Sequence, residues 1–383
     1  MTQRKKILVV GGTGVISYAV VMEAIRQGHD VTCINRGKHT SQKLPDNVHI
    51  ITADYRDAEF IRTQLKGQRY DVVMDVLCFK KEDIDYSVNL FKDYCDQYIF
   101  VSSAEVYDKQ KYVDEVCYEN ADLCNTLWKY SVNKVACEKR LKQLAEEYRL
   151  NYTIIRPGIT YGNTRIPYGI VPPYGFHGTI IQRIIYQKPI ITWNGSHTVA
   201  MFTRVEDFAV GCVGLMGNPK AYGETFNLCG DEAHSWKEVI DTLGVILQKT
   251  PIYFDVASEL LAKEMPNQKE RLLGGRNISQ RLDNKKIKSV VAEFKTQIPL
   301  EEGIRMTVNY YQNNNYLLGI DYCFDGVWDR IINKQTQTSF RSGFIDYLGN
   351  ATIWDRLNYY SGYYQSSLFG KVLNKLIRMI RRK

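Results

Sequence analysis

A glycine-rich segment near the start of the chain constrains the fold more than any other part of the sequence. The segment GGTG at residues 11–14 follows the apolar run Lys6–Val10 and precedes a pattern that predicts a helix over Val15–Gln27. This order of strand, turn and helix is typical of a unit that binds the pyrophosphate of a dinucleotide at a helix N-terminus. The residues expected to contact that dinucleotide are Gly11, Thr13, Gly14, Val15 and Ile16.

The first 160 residues continue this alternation of short β-branched runs and helical patterns, which indicates a parallel sheet. The fold class predicted is α/β, with a Rossmann-type doubly wound parallel sheet, a smaller C-terminal substrate lobe and a helical tail. The sequence assigns residues 1–165 and 196–230 to the Rossmann domain, 166–195 and 231–315 to the lobe, and 316–383 to an aromatic-rich extension that ends in a basic amphipathic helix.

Composition narrows the class of protein. No apolar run is long enough to span a bilayer, and the basic start MTQRKK leads into a strand without a cleavage site, so we expect neither a membrane span nor a signal peptide. The nine cysteines are scattered, without the spacing of a zinc site or a disulfide framework. The sequence therefore predicts a cytoplasmic protein with reduced thiols and no metal.

The end of the second predicted strand bears on the choice of cofactor. NAD-binding units usually have an acid there for the ribose 2′-hydroxyl, whereas this chain has Asn35-Arg36-Gly37. Arg36 could bind a 2′-phosphate, which favours NADP, or stack on adenine and admit either NAD or NADP. Asp54, after the third strand, could accept a hydrogen bond from the adenine amino group or simply cap a loop.

A second group of residues indicates hydride-transfer chemistry. Tyr130 and Lys134 are four positions apart in a predicted helix over Tyr130–Glu147, so they share one helix face. The lysine ammonium lowers the pKa of a nearby phenol, which makes the tyrosine usable as an acid or base. Ser103 follows a predicted strand at the edge where open α/β sheets bind ligands, and it could hydrogen-bond the same substrate oxygen.

These residues together resemble the extended and atypical short-chain dehydrogenase/reductases of the NAD-dependent epimerase/dehydratase family, over roughly residues 5–312. The matching segments are GGTGVIS, SSAEVY, YSVNK, IIRPGITYG, FTRVEDFA and GETFNLCG. The resemblance implies that Tyr130 is the acid/base, that Lys134 orients the nicotinamide ribose, and that Ser103 polarises the reacting oxygen. It also places Pro157 beside the cofactor.

The same resemblance implies a nucleotide-sugar substrate and leaves three reactions open: epimerisation, dehydration and reduction. Glu105 matches the proton-abstracting glutamate of dehydratases, although a salt-bridged glutamate at a strand end is the alternative. Ala200 stands where UDP-sugar epimerases often have a diphosphate-binding arginine; Arg204, Arg271 and Arg276 are candidate replacements. Tyr161 and Trp193 are predicted to line the lobe, with core packing as the alternative.

Two other functions are compatible with the sequence: an NADPH-dependent carbonyl reductase acting on a non-nucleotide substrate, and a non-catalytic RNA-associated protein on the same scaffold. Some members of the atypical branch are of the latter kind but lack the catalytic pair, which this chain keeps. Nucleic acid is therefore not an expected partner, whereas a homodimer is.

The C-terminal tail of the chain is strongly basic. Residues 367–383 carry +6 of the net charge of +8 and no acidic residue. Apolar and basic residues fall on opposite halves of the predicted helix, which suggests peripheral contact with an anionic inner membrane surface. Docking of the apolar half on the protein itself or on a second subunit is the alternative.

Overall fold

The computed structural model describes residues 3–37, 43–113, 115–173, 175–314, 319–337 and 351–380. Its strands are Lys6–Val10 (β1), Asp30–Asn35 (β2), His49–Thr52 (β3), Tyr70–Asp75 (β4), Cys95–Val101 (β5), Val116–Cys117 (β6), Asn151–Pro157 (β7), Ile159–Tyr161 (β8), Ile190–Trp193 (β9), Val199–Arg204 (β10), Glu224–Leu228 (β11), Ala233–Ser235 (β12), Tyr253–Val256 (β13) and Arg281–Leu282 (β14).

The helices are Val15–Arg26 (α1), Ala58–Leu65 (α2), Lys81–Phe91 (α3), Lys129–Tyr148 (α4), Gly178–Ile185 (α5), Val205–Leu215 (α6), Trp236–Leu247 (α7), Ser258–Glu264 (α8), Lys269–Arg271 (α9), Lys285–Val290 (α10), Leu300–Asn313 (α11), Tyr322–Thr336 (α12), Ile353–Tyr363 (α13) and Leu368–Ile380 (α14). Within the described ranges, no helix is both long and apolar enough to cross a membrane.

A seven-stranded sheet with the order β11-β7-β5-β4-β1-β2-β3 forms the centre of the first part of the chain, and all its pairings are parallel. Alternate residues of β1 enter two different core clusters, Ile7 and Val9 in one and Leu8 and Val10 in the other. Both faces of the sheet are therefore buried, as expected for parallel strands. The predicted Rossmann-type fold is confirmed.

The chain divides into two compact units. The first comprises residues 1–162, 198–234 and 273–300, and the second comprises residues 163–197, 235–272 and 301–383. The segment 273–300, predicted to lie in the lobe, thus belongs with the sheet. The reason is packing, because Ile287, Val291 and Phe294 are buried in the same core cluster as Phe208 of α6.

The extension is likewise not a separate part, since it shares the second unit with the lobe. Arg183 of α5 and Lys188 form ion pairs with Asp325 and Asp329 of α12, and all four side chains are at most 3% exposed. The hydroxyl of Tyr359 on α13 donates to Asp329 at 2.7 Å. Charges removed from water require partners of opposite sign, so the lobe and the extension depend on one another.

Two glycines allow α12 and α13 to pack closely. A Cβ atom added to Gly362 would lie 1.9 Å from the carbonyl oxygen of Cys323, and one added to Gly326 would lie 2.3 Å from that of Tyr359. No larger residue fits at either position without moving a helix backbone. This close packing holds Asp329 and Tyr359 in contact.

The buried charge cluster leads to a stability prediction. Asp325→Asn keeps the side-chain size but removes one charge, and we expect the free energy of unfolding to fall by about 3–5 kcal/mol because Arg183 and Lys188 lose a buried partner. The control is Glu301→Gln, which breaks an exposed pair with Arg305 and should cost at most about 1 kcal/mol. Urea denaturation measures both; equal losses would contradict the importance of the cluster.

Candidate active site

The glycine-rich loop between β1 and α1 is held in one conformation. Gly11 has a φ of +87°, a backbone conformation that favours glycine, and its N–H donates to the carbonyl of Ile34 at 3.0 Å. Ser17 stands where such loops usually have a third glycine. Its hydroxyl donates to the Gly11 carbonyl at 2.5 Å and accepts from the Gly14 N–H at 3.0 Å. The loop and the first turn of α1, with Thr13, Val15 and Ile16, thus form a rigid cradle that fits a pyrophosphate.

Asn35, at the end of β2, is a feature that our sequence reasoning missed. Its Oδ1 accepts a hydrogen bond from the Gly12 N–H at 2.8 Å. Its Nδ2 is buried and has no hydrogen-bond partner among the described residues. Arg36 follows with an exposed side chain. NAD-binding units usually have an acceptor for the ribose 2′-hydroxyl at this position. Here the position has the amide donor of Asn35, followed by the cationic side chain of Arg36.

Asp54 has a local role in the loop after β3. It is exposed, and its Oδ1 accepts from the backbone N–H of Arg56 at 3.0 Å. Asp54 therefore caps the loop, as one of the two predicted roles requires. Its contact with adenine remains a prediction. Pro157 ends β7 in register with Leu228 of β11 and is buried.

Lys134 lies in the second turn of α4 with its side chain 2% exposed. The ammonium donates to the carbonyls of Cys78 and Val101, each at 2.8 Å, where β4 and β5 come to an end. The aromatic rings of Phe79 and Phe100 lie within 5 Å of the same atom. Burial lowers the pKa of Lys134 below its ordinary value. The sheet edge thus holds one desolvated cation in a fixed position.

Tyr130 and Lys134 are brought together as the helical spacing predicts, with the ammonium 5.9 Å from the centre of the Tyr130 ring. The ring is half-buried and packs on Trp128, with 5.1 Å between ring centres. Ser103 begins a short 3₁₀ turn after β5, and its Oγ accepts from the Glu105 N–H at 3.2 Å. These residues lie at the carboxyl edge of the sheet, where open α/β sheets bind ligands.

Glu105 lies in a closed ion-pair cluster. It is 5% exposed, and its two carboxylate oxygens contact the Lys109 ammonium at 2.5 Å and the Arg276 guanidinium at 2.6 Å. Burial alone would raise the pKa of Glu105, but these two cations outweigh it and lower the pKa to about 2. Glu105 is thus a salt-bridged glutamate at a strand end, which was the alternative to a catalytic base. A proton-abstracting role for Glu105 remains a prediction.

The Glu105 cluster also contacts the surroundings of Tyr130. The Arg276 guanidinium lies 5.8 Å from the Trp128 ring, and Trp128 in turn packs on Tyr130. Sequence reasoning missed Lys109 and Trp128 and considered Arg276 only for a substrate diphosphate. No local pattern connects Arg276 to Glu105, because 171 positions separate them along the chain.

The predicted substrate residues occupy packed positions. Tyr161 and Arg204 are paired across β8 and β10, and each is 1% exposed. The Arg204 guanidinium lies 5.6 Å from the Tyr161 ring and pairs with Glu206 at 2.7 Å. Trp193, in the second unit, is buried between Tyr168 and Trp236. Tyr161 and Trp193 are thus packed in the core, and Arg204 is buried beside Tyr161 and Glu206. Contact with a substrate remains a prediction for all three.

The second unit contains a cavity of about 560 Å³ that is lined by basic side chains and by the acidic residues Glu264 and Asp321. Arg165, Arg271 and His177 are among its lining residues. Burial and the charges of the two arginines lower the pKa of His177 to about 3, so this imidazole is neutral near pH 7. Of the arginines that the sequence offered for an anionic group, Arg276 is paired with Glu105, and Arg271 is among the residues that line this cavity.

A Rossmann sheet, a pyrophosphate cradle and a tyrosine–lysine pair at the sheet edge define the class of nicotinamide-dependent enzymes with this fold. The chain belongs to the NAD dependent epimerase/dehydratase family, whose profile matches residues 7–229. The family predicted from the sequence is thus confirmed. So is the prediction of an enzyme of the epimerase/dehydratase type.

Individual proteins show how far the similarity extends. The chain is 28% identical over 243 residues to an Arabidopsis thaliana chloroplast stem-loop binding protein of 41 kDa, a match that spans 60% of each protein. It is 22% identical over 341 residues to a UDP-N-acetyl-alpha-D-glucosaminuronate decarboxylase of Bacillus cytotoxicus, covering 81% of this chain and 98% of that one. The fold is shared with UDP-glucuronic acid 4-epimerase of Bacillus cereus, with a TM-score of 0.65, 18% identity and coverage of 81% and 99%.

The ion pairs of Glu105 give a pH-dependent prediction. Glu105→Gln leaves two buried cations without a charged partner, so we expect the free energy of unfolding at pH 7 to fall by about 3–5 kcal/mol. The Glu105 pKa is lowered from 4.5 to about 2 on folding. Its contribution is therefore complete above pH 4.5 and is lost as the pH falls towards 2.

Urea denaturation of the wild type and of Glu105→Gln at several pH values measures this difference, which should shrink below pH 4.5. Glu146→Gln, an exposed change on α4, is the control and should leave stability almost unchanged at every pH. A difference between wild type and Glu105→Gln that does not depend on pH would contradict the ion-pair assignment.

Proposed function

We propose that the protein is an NAD(P)-dependent enzyme that modifies the sugar of a nucleotide sugar, with Tyr130 as the acid/base. The observation that carries this proposal is the placement of Tyr130 beside the buried Lys134 ammonium, at the edge of a sheet that also forms a pyrophosphate cradle. The two relatives named as a UDP-sugar decarboxylase and a UDP-sugar epimerase support the substrate class.

Each residue of the centre has a specific part in this chemistry. Ser103 donates a hydrogen bond to the hydroxyl oxygen of the substrate. The Tyr130 oxygen accepts the proton of this hydroxyl group as the substrate is oxidised to a ketone. The fixed charge of Lys134 stabilises the negative charge that Tyr130 would otherwise carry alone. A nicotinamide cofactor, with its pyrophosphate held at the loop of Gly11 and Gly14, would supply the hydride acceptor for this oxidation. In the reverse direction Tyr130 returns the proton.

The environment of Glu105 favours epimerisation or reduction over dehydration. A base of pKa about 2 has little tendency to take a proton from carbon near neutral pH. Both of its oxygens are engaged by Lys109 and Arg276, and the neighbouring Ala104 offers no acid to protonate a leaving hydroxyl. We infer that Glu105 positions the loop carrying Trp128 instead of reacting with substrate.

A diphosphate requires positive charge from the protein, and Ala200 cannot supply it. We propose Arg204, which lies in the same unit as Tyr130 and Lys134, for the anionic part of the substrate.

A second candidate function is nucleic-acid binding, which the similarity to the chloroplast stem-loop binding protein favours. The retained pair of Tyr130 and Lys134 argues for catalysis in this chain. A carbonyl reductase on a non-nucleotide substrate would use the same pair but would consume cofactor stoichiometrically, whereas an epimerase regenerates it.

Two associations belong to the proposal as well. One is peripheral contact of residues 367–383 with the inner membrane surface, which the exposed apolar side chains of α14 support. The other is a homodimer, which stays a prediction from the sequence.

The cofactor prediction concerns Asn35. Asn35→Asp retains the acceptor for the Gly12 N–H but replaces the free donor with a carboxylate oxygen, which repels a 2′-phosphate and accepts from a 2′-hydroxyl. We expect the wild type to prefer NADP, and the variant to shift the ratio of dissociation constants about ten-fold or more towards NAD. Calorimetric titration measures both ligands, with the exposed change Asn89→Asp as the control. An unchanged ratio would contradict the role of Asn35.

The catalytic prediction concerns Tyr130. Tyr130→Phe removes the only atom that exchanges the proton, so turnover should fall by about 10²–10⁴-fold while cofactor affinity is retained. Tyr148→Phe, near the other end of α4, is the control and should be fully active. Nucleotide sugars are screened by NMR for epimerisation and by mass spectrometry for other changes. An unaffected Tyr130→Phe enzyme would favour the binding function.

A further inference from the structure

The last helix, α14, is attached to the protein by one of its faces. Leu373 and Ile377 are 8% and 5% exposed, and Gly370 is buried beside the carbonyl of Tyr364. The Asn374 side chain donates to the carbonyl of Ser361 on α13 at 3.1 Å. Part of the apolar surface of α14 therefore packs on the protein itself, which is the alternative to membrane contact that the sequence left open. We call this part the docking face.

The remaining apolar side chains of α14 form a second, exposed face. They are between 48% and 80% exposed, and they recur at the spacing of one helix side: Leu368, Phe369, Val372, Leu376, Met379 and Ile380. Tyr364, also exposed, packs edge-to-face on Phe369 at 5.7 Å and extends this apolar face at one end. A continuous row of large apolar side chains along a helix about 20 Å long is characteristic of an interaction surface.

A basic face borders the apolar one. Lys371 and Lys375 are exposed, and the sequence places Arg378 on the same side of the helix, one turn further along. Arg381, Arg382 and Lys383 follow, and no acidic residue occurs between positions 367 and 383. A partner of this surface must therefore accept both apolar side chains and a charge of +6.

We propose that the exposed face of α14 binds the surface of an anionic lipid bilayer. The apolar row enters the boundary between headgroups and acyl chains, while the basic side chains lie among anionic headgroups. A second copy of the helix would bring two strongly positive surfaces together, which disfavours it as the occupant. A nucleic acid would match the charge but would leave the apolar row in water.

The docking face determines how such binding works. Because Leu373 and Ile377 are buried and Asn374 is bonded to α13, the helix can meet a membrane without being released from the protein. The cost of ordering a free tail on binding is thereby avoided. Binding depends on charge, so it weakens with added salt.

Sedimentation with vesicles tests the proposal on the full chain. Wild-type protein is expected to pellet with vesicles of phosphatidylcholine and phosphatidylglycerol, and poorly with phosphatidylcholine alone. Val372→Glu with Leu376→Glu places charges on the exposed face and should weaken partitioning about ten-fold or more. Val245→Glu, an equivalent change at a side chain of α7 that is 68% exposed, is the matched control and should bind like wild type.

Further measurements separate the outcomes. Lys371→Gln with Lys375→Gln should weaken binding to anionic vesicles about ten-fold or more, while four of the six cations remain. Turnover of a soluble substrate should be the same in the wild type and in Val372→Glu with Leu376→Glu, so failure here is distinguishable from failure of the catalytic assignment. Wild-type protein that stays in solution, or a double glutamate variant that pellets equally, would overturn the proposal. So would a wild-type dimer in light scattering that this variant abolishes without any vesicle binding.

Discussion

The uniform direction of the central strands is the constraint on which the candidate site depends. Since β1, β2, β4 and β5 are parallel, the loops that follow them meet at one edge of the sheet. The cradle after β1, Asn35 at the end of β2, and the carbonyls of Cys78 and Val101 after or within β4 and β5 all belong to that edge. The helix α4 then needs only to present Tyr130 and Lys134 there. No single element contains the site.

Charged side chains at this edge differ in whether an opposite charge pairs with them. Lys134 is held by carbonyl dipoles and aromatic faces, without a carboxylate in salt-bridge contact among the described residues, so its positive charge can act on a neighbouring oxygen. Glu105, by contrast, is neutralised by two cations that leave it little reactivity. Residues that look equally catalytic in the sequence thus differ because of partners that are distant along the chain.

Local patterns predicted what is determined locally. The strand β1 has the predicted ends, and the helix with Tyr130 begins within one residue of the prediction, because periodicity and glycine turns act over short distances. The burial of Tyr161, Trp193 and Arg204 could not be predicted, since it results from the register of β8 with β10 and from packing within the second unit. The role of Asn35 was overlooked because it depends on a tertiary contact. The Gly12 N–H donates to Oδ1 of Asn35 and leaves Nδ2 as the donor without a described partner.

The extension shows the same principle in its charges. Arg183 and Lys188 are buried because Asp325 and Asp329 supply two carboxylates at one helix face. Residues 367–383 have as many as six cations and no carboxylate, so their charge cannot be neutralised within the segment and must face solvent or an anionic partner. The distribution of acids along the extension therefore decides which part of it joins the core and which part is directed outward. Helix α14 combines both: Leu373 and Ile377 are buried, and Lys371 and Lys375 are exposed together with the apolar row.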